Sequence, residues 1–99
     1  MKLGGHVYLM TNKNNTVIYT GVSSALRKRV LEHKTNKYDK SFTKRYKCHK
    51  LVYYKWYPTI MEAIAREKQI KAGSREKKVQ LINEMNPDWN DLFDDLDVV

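Results

Sequence analysis

Glu67 is a carboxylate at a position where the sequence predicts the buried face of a helix. In a helix over Ile60–Ala72 it lies on the same side as the apolar Ile60, whereas Glu62 faces away. An unpaired buried charge is strongly unfavourable, so this carboxylate needs a partner. Two partners fit the pattern: a basic neighbour such as Arg29 in an ion pair, or a hard divalent cation such as Mg²⁺ completed by phosphate oxygens and water.

Arg29 and His33 form a second pair of residues whose side chains can take part in chemistry. They are four residues apart in a predicted helix over Ala25–His33, so they stack on one side, together with the apolar Leu26 and Val30. Two interpretations stay open. The arginine can extend past the apolar stripe into solvent and the histidine can be an ordinary core residue, or both can serve a functional site.

Tyr8 and Tyr19 lie in two β-forming runs, His6–Thr11 and Thr16–Gly21, separated by Asn12–Asn15. Asparagine tolerates turn conformations, so the pattern predicts a hairpin. If the strands pair directly across this four-residue loop, the two tyrosines lie opposite each other. Because side chains alternate along strands, both phenols then share one face of the sheet.

A third strand and two more helices complete the predicted fold. Ser23 or Ser24 is expected to cap the first helix, and Pro58 to end the third strand. The further elements are a strand over Leu51–Tyr57, a helix over Ile60–Ala72 between Thr59 and Gly73, and a helix over Arg75–Met85 opened by Ser74. We therefore expect an α+β fold with a small three-stranded antiparallel sheet flanked by three or more helices. One domain should span residues 1–99, with its core at about 5–90 and an acidic segment at 84–99.

The charge distribution indicates a polyanionic partner. The chain carries +8 overall, but residues 1–83 carry +14 and residues 84–99 carry −6. A basic body of this kind is typical of nucleic-acid binding, and the alternative is an ordinary solvated basic surface. The segment Lys34–Lys50 supplies seven Lys and Arg residues, and we expect Lys44, Arg45 and Lys47 to contact phosphates.

Composition excludes several classes of protein. No apolar run approaches the ~20 residues of a membrane span, and the N-terminus lacks the apolar stretch of a signal peptide, so we expect a cytoplasmic protein that does not engage a membrane. The single Cys48 excludes an internal disulfide framework and a thiolate zinc cluster. The sequence also lacks a glycine-rich phosphate loop and a serine nucleophile elbow.

Taken in order, these motifs resemble the GIY-YIG nuclease superfamily. The likeness is greatest to its small stand-alone bacterial branch, which is similar to the N-terminal nuclease part of the excinuclease subunit UvrC. His6 stands where the first signature has glycine, and Thr20 where the second has isoleucine. The resemblance rests on Val7-Tyr8, on Tyr19-Thr20-Gly21, on Leu26-Arg27-Lys28-Arg29 with His33, and on Glu67.

The resemblance implies a metal-dependent DNA endonuclease that uses one Mg²⁺ or Mn²⁺ ion. Glu67 is then the metal ligand, and Arg29 opposes the charge that builds on the scissile phosphate. Tyr8 and Tyr19 position or deprotonate the attacking water, with either as the base, and His33 shares the proton transfer.

Two further residues and one alternative follow from the same resemblance. Gly21 is expected to let the chain turn closely past the phosphate, and Asn86 is the candidate for the family's late asparagine in substrate binding. Selectivity would come from a partner protein or a structured substrate, in DNA repair or processing. The alternative is a nucleic-acid-binding domain on the same scaffold without catalytic turnover.

Overall fold

The fold is a three-stranded antiparallel sheet with helices packed on both faces. A computed structural model describes residues 4–35 and 45–96 of the chain. The strand order is β2-β1-β3, so the first strand is central. This architecture confirms the predicted α+β fold. The elements are β1 (Gly5–Thr11), β2 (Ile18–Ser23), α1 (Leu26–Lys34), β3 (Lys50–Tyr57), α2 (Ile60–Ala72), α3 (Arg75–Met85) and a 3-10 turn (Phe93–Asp95).

The hairpin differs from the predicted one in its register. Thr11 pairs with Ile18, and Tyr8 lies opposite Gly21 instead of Tyr19, so the predicted pairing was wrong by two residues. The cause is Asn12, whose side-chain oxygen accepts hydrogen bonds from the backbone N–H groups of Thr16 and Val17 at 2.8 and 3.0 Å. These bonds hold residues 12–17 in a wider loop, which delays the start of β2.

The two faces of the sheet hold separate parts of the core. On one face, Val7 and Leu9 pack with Ala63 and Ile70 of α2 and Ile82 of α3. The intervening residues of β1 point to the other face, since side chains alternate along a strand. There, a second cluster joins β1, β3 and α1 with three apolar residues near the C-terminus; it contains Tyr8, Met10, Leu26, Val30, Cys48 and Leu51, with Leu92, Phe93 and Leu96 against them.

Helix α2 begins and ends where the sequence predicts, and its start is well fixed. The Thr59 side chain accepts from the Glu62 backbone N–H at 3.1 Å, while the Glu62 carboxylate accepts from the Thr59 N–H at 3.2 Å. This reciprocal capping box satisfies two N–H groups that a helix end leaves free. It also fixes the phase of the helix, and therefore the direction in which Glu67 points.

Helix α1 starts differently from the expectation. Its N-cap is Ala25, which makes no side-chain capping bond, so the predicted cap by Ser23 or Ser24 was wrong. The Ser23 hydroxyl instead accepts from the Ala25 N–H at 2.9 Å within the short turn between β2 and α1. This turn connects the strand to the helix directly, which places α1 close to the tyrosines of the hairpin.

The C-terminal segment adds a strap across the second core cluster. The Leu92 N–H donates to the Leu51 carbonyl at 2.7 Å, and the Asp91 carboxylate accepts from the Leu51 N–H at 3.2 Å and pairs with Lys34. Phe93 then lies beneath the guanidinium of Arg27 at 5.0 Å. Within the two described segments, residues 4–35 and 45–96, no helix has the length and apolar character needed to cross a membrane.

Candidate active site

Tyr8, Tyr19 and His33 form one aromatic cluster between the hairpin and α1. The Tyr8 hydroxyl lies 3.0 Å from Nε2 of His33, within hydrogen-bond distance and buried. The Tyr8 and Tyr19 ring centroids are 6.1 Å apart, and that of Tyr19 is 5.3 Å from the His33 ring. The register shift did not separate the tyrosines, because a shift of two residues leaves every side chain on its original face.

The two tyrosines differ in exposure, which separates their chemical roles. Tyr8 is fully buried, whereas Tyr19 is partly open to solvent. Burial raises the pKa of Tyr8 far above its usual range, with further contributions from Tyr19 and Glu67, while the positive charge of Arg29 opposes the shift. The Tyr8 phenol therefore stays protonated at neutral pH, and of the two tyrosines only Tyr19 has a surface that a substrate can reach.

His33 is a buried, neutral imidazole. Burial lowers the pKa of His33 below its ordinary value of 6.5, and the neighbouring Arg29 lowers it further, against a smaller opposite effect of Glu32. A neutral imidazole has one ring nitrogen free to accept a hydrogen bond. With the proton on Nδ1, Nε2 accepts the Tyr8 hydroxyl proton, and the ring is prepared to take a proton rather than give one.

Arg29 projects from the same helix as His33 and lies partly in solvent. Its Nε is 3.5 Å from Oε1 of Glu32, and its side chain is 42% exposed. Its charge acts on both Tyr8 and His33, which places the guanidinium at the edge of the aromatic cluster. A half-exposed guanidinium with a planar set of donors is well suited to bind a phosphate.

Glu67 approaches the cluster from α2, and the structure shows its partner. Its carboxylate lies 3.4 Å from Nζ of Lys71, one turn further along the helix, and its side chain is 12% exposed. Of the two partners considered for Glu67, an ion pair with a basic neighbour is present, with Lys71 in the place considered for Arg29. The spacing of Glu67 and Lys71 in the sequence already indicated this pair, since residues four apart on a helix are neighbours.

Glu67 offers a single carboxylate, which is the kind of ligand that a hard cation can use. Among residues 4–35 and 45–96, no group of three or more His, Cys, Asp or Glu side chains could enclose a metal ion. Mg²⁺ commonly binds through one or two carboxylates and keeps water and substrate phosphate as its other ligands. Lys71 is 63% exposed, so a cation could replace its ammonium group at little cost.

This arrangement coincides with a known catalytic domain. The family model described as the GIY-YIG catalytic domain matches residues 4–80, which include both tyrosines, Arg29, His33 and Glu67. The chain belongs to the GIY-YIG family. The family is one of nuclease domains, so this chain carries a nuclease-type domain, a kind of domain whose substrate is nucleic acid, in agreement with the resemblance inferred from its motifs.

Its relatives are small bacterial proteins of the UPF0213 group. The UPF0213 protein of Syntrophus aciditrophicus is 36% identical over 83 residues, which cover 84% of this chain and 93% of that protein. The one from Staphylococcus saprophyticus is 35% identical over 79 residues, covering 80% of this chain and 94% of its own. The solution NMR structure of the UPF0213 protein BH0048 from Bacillus halodurans superimposes with a TM-score of 0.56 at 26% identity, over 88% of this chain and 90% of that one.

The signature glycine of this GIY-YIG domain has a packing function. Gly21 lies inside β2 and not at a turn, with no positive φ. A Cβ atom at this position would lie 2.5 Å from Cζ of Tyr8 and 2.9 Å from Cε2 of Tyr19. The absence of a side chain therefore makes room for both phenol rings, which the sequence reasoning, directed at a phosphate, did not foresee.

Asn86 is buried and fully engaged by the fold. Its amide nitrogen donates to the carbonyls of Val52 and Asn90 at 3.2 and 2.8 Å, and its oxygen accepts from the Asn90 N–H at 3.1 Å. These bonds join the end of α3 to β3 and to the chain that follows. The observed role is structural, and the predicted contact of Asn86 with substrate stays a prediction without geometric support.

Two of the three basic residues expected to contact phosphate, Arg45 and Lys47, lie among the described residues. Lys47 lines a groove between the hairpin loop and the start of β3, and Arg45 is exposed, with its guanidinium 5.6 Å from the Tyr46 ring centre. The sequence reasoning missed that distant lysines meet here; the groove also contains Lys13, Lys34 and Lys50. Lys44 lies outside the described residues.

Proposed function

We propose that this protein is a metal-dependent DNA endonuclease that hydrolyses phosphodiester bonds. The observation that carries the proposal is the buried hydrogen bond between Tyr8 and His33, with Tyr19 against both rings and Arg29 at the edge. Burying a neutral imidazole on a phenol is costly unless the pair is satisfied, and Tyr19, whose ring lies against both, is partly open to solvent. Such an arrangement is suited to moving a proton.

We infer that Tyr19 is the tyrosine that meets the attacking water. Its partly open ring is within reach of solvent, and a hydrogen bond links its hydroxyl to Tyr8. The water proton passes to Tyr19, the Tyr19 proton to Tyr8, and the Tyr8 proton to Nε2 of His33. This relay ends on the ring nitrogen of a neutral imidazole, so no free phenolate has to form.

Arg29 couples substrate binding to this relay. In the free protein burial lowers the pKa of His33, and the charge of Arg29 lowers it further, which opposes the final proton transfer. A bound phosphate neutralises the guanidinium, which removes the contribution of Arg29 and makes His33 a better proton acceptor. The same guanidinium then stabilises the negative charge that develops on the phosphate during hydrolysis.

Glu67 is the residue that would hold the divalent cation, Mg²⁺ or Mn²⁺. When bound, the ion would supply Lewis-acid stabilisation of the leaving 3′ oxygen. The single carboxylate near Tyr8 and the replaceable partner Lys71 support this assignment. We place the activity in cytoplasmic DNA processing or repair, with selectivity supplied by a partner protein or by a structured substrate.

The test is cleavage of labelled single-stranded, nicked, branched and duplex DNA, with Mg²⁺ or Mn²⁺ against EDTA. We expect cleavage only with metal, and its loss in Tyr19→Phe with DNA binding retained. Cleavage that persists in EDTA would contradict the metal dependence. DNA binding by the wild type with no cleavage of any substrate would support the alternative, a binding domain without turnover.

A further inference from the structure

A row of aromatic side chains continues from the active site along the same face of the sheet. His6 is two residues before Tyr8 on β1, and Tyr54 lies directly opposite Tyr8 on β3. Because alternate residues share a face, all three point to the side covered by α1. The rings of His6 and Tyr54 meet edge to face, with centroids 6.1 Å apart.

Trp56 ends this row and is unusually open for its size. It lies opposite His6 on β3, an edge strand, and it is 52% exposed. Its indole rests on the backbone of Gly4, where an added Cβ would lie 2.5 Å from Nε1. The ring is thus held against the chain on one side, and much of its surface is left to solvent, although neither part of the core uses it.

Basic residues from α1 stand across from these rings. Arg27 and Lys28 line a groove whose other wall contains His6 and Tyr54, and Asp95 of the C-terminal strap is also at its rim. Arg27 and Lys28 are both exposed. We call this groove, with Trp56 beside it, the aromatic groove. Aromatic surface next to arginine and lysine matches the chemistry of a nucleotide, whose base stacks and whose phosphate is anionic.

We propose that the aromatic groove is a nucleobase subsite, in which Trp56 stacks an unstacked base flanking the cleaved bond while Arg27 and Lys28 bind its phosphate. The proposal rests on the proposed function, since the occupant is a nucleotide of the substrate. Tyr54 and His6 connect the groove to Tyr8, which places the stacked base beside the reacting phosphate. Asp95 opposes the phosphate and limits the affinity of the subsite.

The experiment measures binding in EDTA, so that it does not depend on cleavage. The probes are a short thymidine oligonucleotide and an oligomer of the same length with abasic sites, which keeps the phosphates and removes the bases. We expect the wild type to bind the thymidine probe about tenfold more tightly, as expected for base–aromatic stacking. Trp56→Ala should remove this preference, and Trp56→Phe should retain most of it.

Two matched variants separate stacking from general effects. Met61 is another exposed apolar residue, 72% exposed on α2, and Met61→Ala should leave the preference unchanged. Asp95→Asn should tighten binding of both probes at low salt, because it removes a charge that repels phosphate. Arg27→Gln should weaken both probes without changing their ratio.

Three results of the binding measurements would overturn the proposal. These are equal binding of the two probes by the wild type, an unchanged preference in Trp56→Ala, and a loss of the preference in Met61→Ala. A concentration-dependent rise in molecular mass that Trp56→Ala abolishes would also overturn it, by assigning the surface to a second copy of the chain. A protein that shows the base preference but never cleaves DNA would contradict only the proposed catalysis.

Discussion

At the scale of single residues, the candidate site depends on one small side chain beside two large ones. Gly21 leaves the space that the rings of Tyr8 and Tyr19 occupy, and Tyr8 in turn holds the buried His33. The sequence identified the residue types and their order, since each short motif, such as Tyr19-Thr20-Gly21, is contiguous along the chain. The sequence could not reveal that Gly21 makes room for the two tyrosine rings, because this depends on the register in which β1 and β2 pair.

The two tyrosines should respond differently to loss of their hydroxyl groups. Tyr8→Phe leaves Nε2 of the buried His33 without its partner, so the free energy of unfolding should fall by about 1–3 kcal/mol. Tyr19→Phe, at a partly open position, should cost about 1 kcal/mol or less and yet lose cleavage. Urea denaturation and single-turnover cleavage measure the two effects. Equal destabilisation by both substitutions would contradict the assigned division of roles.

The lowered pKa of His33 gives stability a definite dependence on pH. The unfolded state binds a proton near pH 6.5, whereas the folded state takes it up only at lower pH. The unfolded state therefore binds more protons in between, and the free energy of unfolding should fall as pH drops below about 6.5. His49, whose pKa is lowered by burial and by Lys34 and Lys47, contributes in the same direction.

Urea denaturation from pH 7.5 to 5 measures this slope. His33→Gln should flatten it, and adding His49→Gln should flatten it further. The imidazoles would not be responsible if the double variant kept the full wild-type slope.

Glu67 should be essential for cleavage and nearly dispensable for folding. Glu67→Gln removes the charged oxygen that a cation needs, while the lost pairing with the exposed Lys71 is worth only about 0.3–0.5 kcal/mol. We expect cleavage in Mg²⁺ to be abolished, with DNA binding retained and Tm almost unchanged. The control is Lys71→Gln, which breaks the same ion pair and should keep cleavage. A large fall in Tm in Glu67→Gln would instead make this carboxylate a structural residue.

At the scale of elements, helices were easier to predict than the hairpin. Helix α2 has its predicted limits, because Thr59 caps its start with local hydrogen bonds and the chain turns to an extended conformation at Gly73. The register of β1 and β2 depended on how Asn12 folds its own loop, which a propensity for turns does not specify. The shared face of the tyrosines survived the error because the shift was even.

Helix α1 offers a test of position, because its residues Arg27 and Arg29 are of the same type but lie on different sides of the helix. Arg29 is half-buried beside the aromatic cluster, whereas Arg27 is exposed over Phe93. Arg29→Ala should reduce cleavage about 10²-fold or more, as expected for a donor that stabilises the transition state. Arg27→Ala should weaken binding only modestly.

The conservative variant refines this test. Arg29→Lys keeps the charge and loses the planar set of donors, so it should restore DNA binding without restoring cleavage. Single-turnover rates measure cleavage, and titrations in EDTA measure DNA binding. Equal loss of cleavage in the two alanine variants, or full recovery in Arg29→Lys, would make Arg29 one basic residue among many.

At the scale of the whole molecule, charge and fold divide the surface into regions with different partners. The sequence showed that positive charge dominates residues 1–83, and so predicted a polyanion. It could not show which lysines gather, since Lys13 and Lys47 meet in one groove only when the hairpin loop lies against the start of β3. Nor could it show that the acidic segment folds back, with Asp91 paired to Lys34 and Phe93 under Arg27.

The distribution of basic residues over the surface predicts which of them make DNA affinity depend on salt. Each phosphate contact releases counterions and contributes about −0.9 to the slope of log K against log salt on duplex DNA. Lys47 lines the groove beside the hairpin loop and Arg45 is exposed two residues before it, so Arg45→Gln with Lys47→Gln should flatten the slope by about 2 units. Lys68→Gln with Lys77→Gln removes the same charge from exposed positions on α2 and α3, outside the groove that Lys47 lines, and should leave the slope unchanged. Titrations of labelled DNA in EDTA from low to moderate salt give both slopes. Equal flattening by the two pairs would mean that net charge alone governs binding, and flattening only by the control pair would move the DNA surface to α2 and α3.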